Sequence, residues 1–206
     1  MKTINLGKIN LTIYDGPVGI RASGGADSSL LLFYLALHHP GPIFVYNLAE
    51  EMNDYLEEGH MVRVVNKISE LTENTNIIIK NFRVPKKHID ILMDITNTAA
   101  KEDNVTMLYT GITKRPPREF EKYFKSAFNE GNTSTFRDPE TEVPTLYEKT
   151  YMPLANINKK DVKDLYDKAG ITESLFPVTF SCTADLRKHC GECWWCEERI
   201  WAFGKI

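Results

Sequence analysis

The chain has 206 residues, of which 42% are hydrophobic and 26% charged, values of a single globular domain long enough to bury a sizeable core. Its net charge of −3 gives no general attraction to nucleic acid, which would need a local basic patch, and no apolar run approaches the roughly 18–20 residues of a membrane span. Nucleic acid and membrane are therefore not expected as partners.

Residues 1–14 alternate polar and apolar and lack the apolar stretch of a signal peptide. The expected compartment is cytoplasmic, so the four cysteines should stay reduced rather than form disulfides. Residues 4–6 and 9–13 flank Gly7-Lys8 and suggest a short hairpin or an added edge strand, within an N-terminal extension over 1–17. Residues 18–22 read as a strand, followed at once by Ser23-Gly24-Gly25-Ala26-Asp27-Ser28 and an apolar-rich helix over 29–37. Residues 42–48 suggest a buried strand and 53–73 a helix. Residues 76–82 suggest another strand, and the run Ile77-Ile78-Ile79 suits one covered on both faces. Helical spacing of Ile91, Leu92, Ile95 and Ala99 marks 88–101, and 106–110 is a further strand ending at Gly111.

From 114 to 150 the pattern breaks down. Only 119–128 reads as helix, and the remainder as an insertion or lid. Asn158 then caps a helix, with Asp161 as a capping-box-like partner, a buried stripe of Val162, Leu165, Tyr166 and Ala169, and Gly170 at its end. Strands alternating with helices imply a Rossmann-like α/β domain on a parallel sheet.

The turn Ser23-Gly24-Gly25-Ala26-Asp27-Ser28-Ser29 lies between a strand and a helix start, where backbone N–H groups and the helix dipole favour a phosphate. Two glycines let the backbone approach an anion at positive φ. Ser23, Ser28 and Ser29 add hydroxyl donors. Asp27 suits such a site only if a cation intervenes, and Mg²⁺ is the cation expected. A plain βα turn capped by Asp or Ser is the alternative.

The four cysteines fall within fifteen residues: Cys182, then Cys190, Cys193 and Cys196 at every third position. Four thiolates so placed can close a tetrahedral Zn²⁺ site in a tail over 181–206. A redox Cys-x-x-Cys pair or an iron–sulfur cluster stays open, and His189 is expected to be a bystander. Trp194, Trp195 and Trp201 are expected to pack the tail onto the domain. Lys114, Arg115, Arg118, Lys122 and Lys125 form a basic strip, partly neutralised by Glu119 and Glu121, that fits a solvated helix face or an anion site.

The Ser-Gly-Gly-x-Asp-Ser string resembles the signature of the PP-loop ATP pyrophosphatases. The tail from Ser181-Cys182 through His189-Cys190-Gly191-Glu192-Cys193-Trp194-Trp195-Cys196 to Ala202-Phe203 resembles the end of the 7-cyano-7-deazaguanine synthases. Pro153-Leu154 and Lys159 match a further segment of that family. The resemblance implies ATP cleaved between its α and β phosphates and a small-molecule carboxylate, 7-carboxy-7-deazaguanine, converted with ammonia to a nitrile through an amide. It places Asp27 and Lys159 in the chemistry. Ala22, Ser23, Gly24, Gly25, Ala26, Asp27, Ser28 and Ser29 would hold the nucleotide, with Asn47 and Gly111 at the adenosine. The cofactors implied are ATP, Mg²⁺ and Zn²⁺. Two pocket segments, Tyr46-Asn47-Leu48-Ala49-Glu50 and Thr113-Lys114-Arg115-Pro116-Pro117-Arg118-Glu119-Phe120, depart from the family pattern, which leaves the acceptor open. An RNA-thiolating enzyme and a non-catalytic nucleotide-binding subunit are the competing readings, and a homodimer stays open.

Overall fold

The structure is a computed structural model that describes residues 1–51, 54–85, 89–121 and 137–206. In chain order it runs β1 (Lys2–Asn5), β2 (Asn10–Ile13), β3 (Val18–Arg21), α1 (Ala26–His38), β4 (Ile43–Glu50), α2 (Asp54–Thr72) and β5 (Ile77–Val84). It continues with α3 (Ile89–Glu102), β6 (Met107–Thr110), α4 (Arg118–Glu121), β7 (Leu146–Tyr147), β8 (Thr150–Tyr151), α5 (Lys159–Lys168), a 3₁₀ turn (Phe176–Val178) and α6 (Trp194–Phe203). The main sheet has the order β5-β4-β3-β6-β8-β7, parallel throughout except for the β7–β8 pair. This is the expected α/β class with a mainly parallel sheet.

Side-chain alternation sorts the sheet into two faces. Ile43 and Val45 of β4 and Met107 and Tyr109 of β6 join the main core, which also takes the apolar residues of α1, α2 and α5. Tyr46 and Leu108 join a smaller core with Ala99 and Ala100 of α3. Gly19 of β3 belongs to that second face. A Cβ there would sit 2.6 Å from the Tyr46 ring, so the tyrosine occupies the space the glycine leaves.

Strands β1 and β2 pair antiparallel as the expected hairpin, in a sheet of their own rather than at an edge of the main one. Two tyrosines hold it down. Tyr109 Oη donates to the Thr12 carbonyl at 2.8 Å and Tyr151 Oη to the Asn10 carbonyl at 2.9 Å, and both rings meet Tyr14 edge-on.

Several boundaries differ from the sequence reading. Helix α1 begins at Ala26, three residues early, because the backbone turns at Gly24, is extended at Gly25 and is helical from Ala26 on. Strand β5 is the edge of the sheet. It is not covered on both faces, and Ile78 is 42% exposed. The β5–α3–β6 crossover carries the chain past β3 to its far side, so β5 gains no second neighbour. The segment expected to be irregular up to 150 ends in β7 and β8, and β8 adds to β6 in parallel. Helix α4 covers only Arg118–Glu121, and the rest of the helix expected over 119–128 lies outside the described residues. The expected capping box is present: Asn158 accepts from the Lys160 and Asp161 amides, and Asp161 accepts from the Asn158 amide.

Gly111 ends β6 against the first turn of α1. A Cβ there would lie 2.8 Å from the Ser28 nitrogen and 2.9 Å from its Cα, both backbone atoms that cannot swing aside. Gly111→Ala should therefore destabilise the protein by about 1–3 kcal/mol. The check is a lower denaturant midpoint with an unchanged m-value.

Candidate functional site

Chain direction places the ends of β3 and β6 side by side, where the strand order reverses, and the glycine-rich turn leaves β3 there. Gly24 has φ of +77°, while Gly25 is extended at φ −75° and serves as the N-cap of α1 with no side-chain cap. Only the first glycine thus needs its conformational freedom. The first intrahelical bond runs from the Ser29 amide to the Gly25 carbonyl at 3.0 Å. The amides of Ala26, Asp27 and Ser28 precede it, at the positive end of the helix dipole. Ser23 is exposed, and Ser28 Oγ turns back to the Gly25 carbonyl at 3.2 Å. Ser29 is fully buried, with its hydroxyl facing no partner, so it sits behind the turn.

Asp27 is the first charged residue of α1, and Lys159 opens α5. The Lys159 ammonium pairs directly with Asp27 Oδ2 and lies 3.6 Å from Glu198 Oε2 of α6. Lys159 is only 4% exposed, which rules out the solvated role that its position in a first helical turn also allowed. Thr113 Oγ1 reaches Asp27 Oδ2 at 3.5 Å. Arg137 donates to Glu198 Oε1 at 3.1 Å and to the Thr113 carbonyl at 3.0 Å, and its guanidinium lies over the Trp195 ring. Five residues from separate stretches of chain so form one charged cluster. Two of its carboxylate oxygens, Asp27 Oδ1 and Glu198 Oε2, are buried without a hydrogen bond. Buried carboxylate oxygens left over in this way fit a cation-binding role.

A second connection runs to the other side of the turn. The Phe180 amide donates to the Gly24 carbonyl at 2.8 Å, and a Cβ on Gly25 would lie 3.2 Å from Ser181 Oγ. The buried Arg199 donates to Thr179 Oγ1 at 2.8 Å and to Ser181 Oγ at 3.4 Å, and lies over the Phe176 ring. Burial brings its pKa down to about 10, which leaves it charged at neutral pH. Phe180 also stacks on His60 of α2 at 3.9 Å.

The four cysteines converge at the start of α6, with Cys193 as its N-cap. Their sulfurs all lie within 4.8 Å of one another, with Cys190–Cys196 at 4.0 Å and Cys182–Cys193 at 3.9 Å. Zn–S bonds of about 2.3 Å at tetrahedral angles imply S···S separations of about 3.8 Å. The residues fit that metal. Backbone amides already point at the sulfurs, Cys193 N to Cys190 Sγ at 3.2 Å and Asp185 N to Cys182 Sγ at 3.4 Å, which favours thiolates. Without a cation the thiols cannot all ionise. Burial pushes Cys196 up to about 12. Burial also pushes Cys193 upward, but hydrogen bonds with the Thr183 and Cys196 backbone outweigh it and bring that thiol down to about 6. His189 Nδ1 stands 3.6 Å from Cys196 Sγ, and burial, then Arg199, lowers that imidazole to about 4.

Asn47 is buried on β4 and donates to Asn81 Oδ1 at 3.0 Å, and Ala22 is buried with its amide on the Tyr46 carbonyl at 3.1 Å. Ala22 directly follows β3, whereas Asn47 lies within β4 rather than at the strand end expected for it, because β4 continues to Glu50. Gly111 has the packing role given above. Of the basic strip, Arg118 meets Asp138 and Glu140, while Lys122 and Lys125 lie outside the described residues. Trp201 packs beside Phe120 and under Lys160, so it attaches the tail as expected. Thr113 and Ser181 were read only as members of a pocket segment and of the family-like tail, and Arg137, Glu198 and Arg199 were not singled out as site residues. For Arg199 a signal existed: it is three residues beyond Cys196, on the helical face that carries a cysteine of the cluster.

The profile of the family described as Queuosine biosynthesis protein QueC matches residues 51–206. The match covers the strip, Lys159 and the cysteine tail, and begins after the glycine-rich turn. No curated protein matches the chain. The chain belongs to the QueC family.

Elemental analysis of the purified protein should return about one zinc per chain. An iron–sulfur absorption band, or no metal at all, would overturn the assignment. Cys196→Ser should lose the zinc and lower Tm by about 10 °C or more, since each kcal/mol is worth about 2–4 °C in a domain of this size.

Proposed function

We propose that this member of the QueC family uses ATP to convert the carboxylate of a 7-deazapurine, 7-carboxy-7-deazaguanine, to a nitrile with ammonia, releasing AMP and pyrophosphate. The observation that carries this reading is the junction of Asp27, Lys159 and the uncapped amides of the glycine-rich turn at one point of the sheet edge. That junction offers cationic and N–H donors to phosphates together with a carboxylate for a divalent cation.

The chemistry balances as two activations. The substrate carboxylate attacks the α phosphorus of ATP, and pyrophosphate leaves. Ammonia then attacks the mixed anhydride, AMP leaves and an amide forms. The amide oxygen attacks the α phosphorus of a second ATP with loss of pyrophosphate, and loss of AMP and of both N–H protons closes the C≡N bond. Little of this demands covalent help from protein, so positioning and charge stabilisation dominate.

In this reading the amides of Ala26, Asp27 and Ser28 face phosphate oxygens, with Ser23 as an added donor. Lys159 is held so that its ammonium can meet negative charge developing at the phosphates. Asp27 would hold Mg²⁺, which when bound supplies charge neutralisation at phosphorus. The zinc would fix the start of α6, from which Glu198 and Arg199 project. Thr113 reaches Asp27, so the residues that follow it would border the acceptor.

Incubation with ATP, Mg²⁺, ammonium and 7-carboxy-7-deazaguanine should give the amide or nitrile by mass, with AMP and pyrophosphate. ADP and inorganic phosphate as primary products would overturn the reading, and ATP-dependent sulfur transfer to RNA would replace it with thiolation. Gly25→Val should abolish nucleotide binding, because its side chain would enter the space between Ser181 and Ser23. Asp27→Asn should retain nucleotide yet lose turnover by orders of magnitude, as expected when metal stabilisation is removed. Both should keep a native circular dichroism spectrum.

A further inference from the structure

We propose that Glu198 is a positioning residue that takes Lys159 from Asp27 when a divalent cation enters with the nucleotide. The inference rests on the reading of Asp27 as the cation's ligand.

In the structure Lys159 neutralises Asp27, so the carboxylate that would hold a cation is already occupied by an ammonium. A dication and an ammonium on one carboxylate repel each other. Lys159 is almost fully buried and cannot retreat into water, and a buried ammonium left alone is strongly disfavoured. An ammonium has three donors, so while one side of it meets the nucleotide's phosphates the side turned into the protein still needs a carboxylate within reach. Glu198 Oε2 is that acceptor. It lies 3.6 Å from the Lys159 nitrogen, an ion-pair separation but beyond hydrogen-bonding distance, and it is buried with no hydrogen bond of its own. The other oxygen, Oε1, is fixed by Arg137 at 3.1 Å, so the carboxylate is anchored at one end and unfilled at the other. A lysine side chain covers the remaining fraction of an ångström by small torsional changes.

Glu198 cannot itself move away. It is fully buried on α6, two residues beyond Cys196, and α6 is pinned at its start by the cysteine cluster. No other charged side chain among the described residues is paired with Lys159. Arg137 sets the strength of the pull, because it shares the Glu198 charge with Lys159. Removing Glu198's charge should hold Lys159 on Asp27. Removing Arg137 should do the reverse.

The test is the Mg²⁺ dependence of nucleotide binding, followed with a fluorescent α,β-methylene analogue of ATP, on zinc-replete protein. Glu198→Gln should leave affinity without Mg²⁺ within about twofold of wild type. It should raise the Mg²⁺ concentration giving half-maximal enhancement by tenfold or more. Arg137→Met should shift that midpoint in the opposite direction, to lower Mg²⁺. A merely structural role for Glu198 would weaken binding equally with and without Mg²⁺, and that result overturns the proposal, as does an unchanged midpoint in Glu198→Gln. If Glu198→Gln does not fold, Arg137→Met carries the test, and a midpoint not below wild type overturns the proposal. Wild-type protein that binds the analogue with no response to Mg²⁺ removes the reading of Asp27 and this inference together. A wild type that responds while the variants do not shift removes the inference alone.

Discussion

The need to compensate a buried ammonium organises the middle of this molecule. Lys159 opens α5 at 4% exposure, and a lysine so placed costs several kcal/mol unless carboxylates surround it. Asp27 and Glu198 supply them, one from the glycine-rich turn and one from the last helix. Arg137 in turn balances Glu198 and reaches the Thr113 carbonyl. Because each charge depends on the next, the turn, the loop after β6, the start of α5 and the body of α6 are held in one arrangement. Hydrophobic packing alone would leave these elements free to slide by small amounts, whereas a buried ion pair specifies direction and distance.

That arrangement asks much of α6. Among its ten residues Glu197, Glu198 and Arg199 are buried, positions where a tail helix would ordinarily place leucines. A helix that buries three charged side chains cannot be held by apolar area alone. Metal binding by four thiolates, worth roughly 10 kcal/mol or more in small zinc modules, would offset the difference and anchor the helix at its first turn. The four cysteines and the charged residues after them are therefore one design. A metal held there would stabilise a helix whose inner face is polar, and the polar face in turn reaches the glycine-rich turn through Lys159 on one side and through Arg199, Ser181 and Phe180 on the other.

Much of this was legible in the sequence where spacing is a local property. The cysteines, the capping box at Asn158 and the strand–turn–helix around Gly24 each declare themselves within a few residues, and the structure forms them as read. The misreadings concern properties that no window of sequence contains. The run Ile77-Ile78-Ile79 has the composition of a central strand, but edge or centre is decided by which way the next crossover turns. Residues 146–151 carry too few apolar positions to announce a strand, yet β6 offers an open side and β8 takes it. Glu198 was invisible for a similar reason. A glutamate on a short charged helix looks solvated, and only the fold shows that Lys159, 39 positions earlier, is waiting inside.

The same side of the sheet carries the two segments that the sequence reading set apart from the 7-cyano-7-deazaguanine synthase pattern. One is the second half of β4, Tyr46 to Glu50, and the other follows β6. In parallel α/β sheets the strand ends hold the ligand while the strands themselves hold the fold, so residues there vary without disturbing the core. Here the division is finer. Thr113 still reaches Asp27 and its carbonyl still receives Arg137, so the first residues of the β6 loop belong to the charged cluster. From Lys114 onward the loop diverges toward α4, whose Arg118 pairs with Asp138 and Glu140 instead. On the proposed reading, activation of a carboxylate depends on the cluster, and choice of the carboxylate depends on what lies beyond Thr113. An altered acceptor loop can then coexist with an unaltered arrangement of Asp27, Lys159 and Glu198, because Thr113 is the residue at which the two meet.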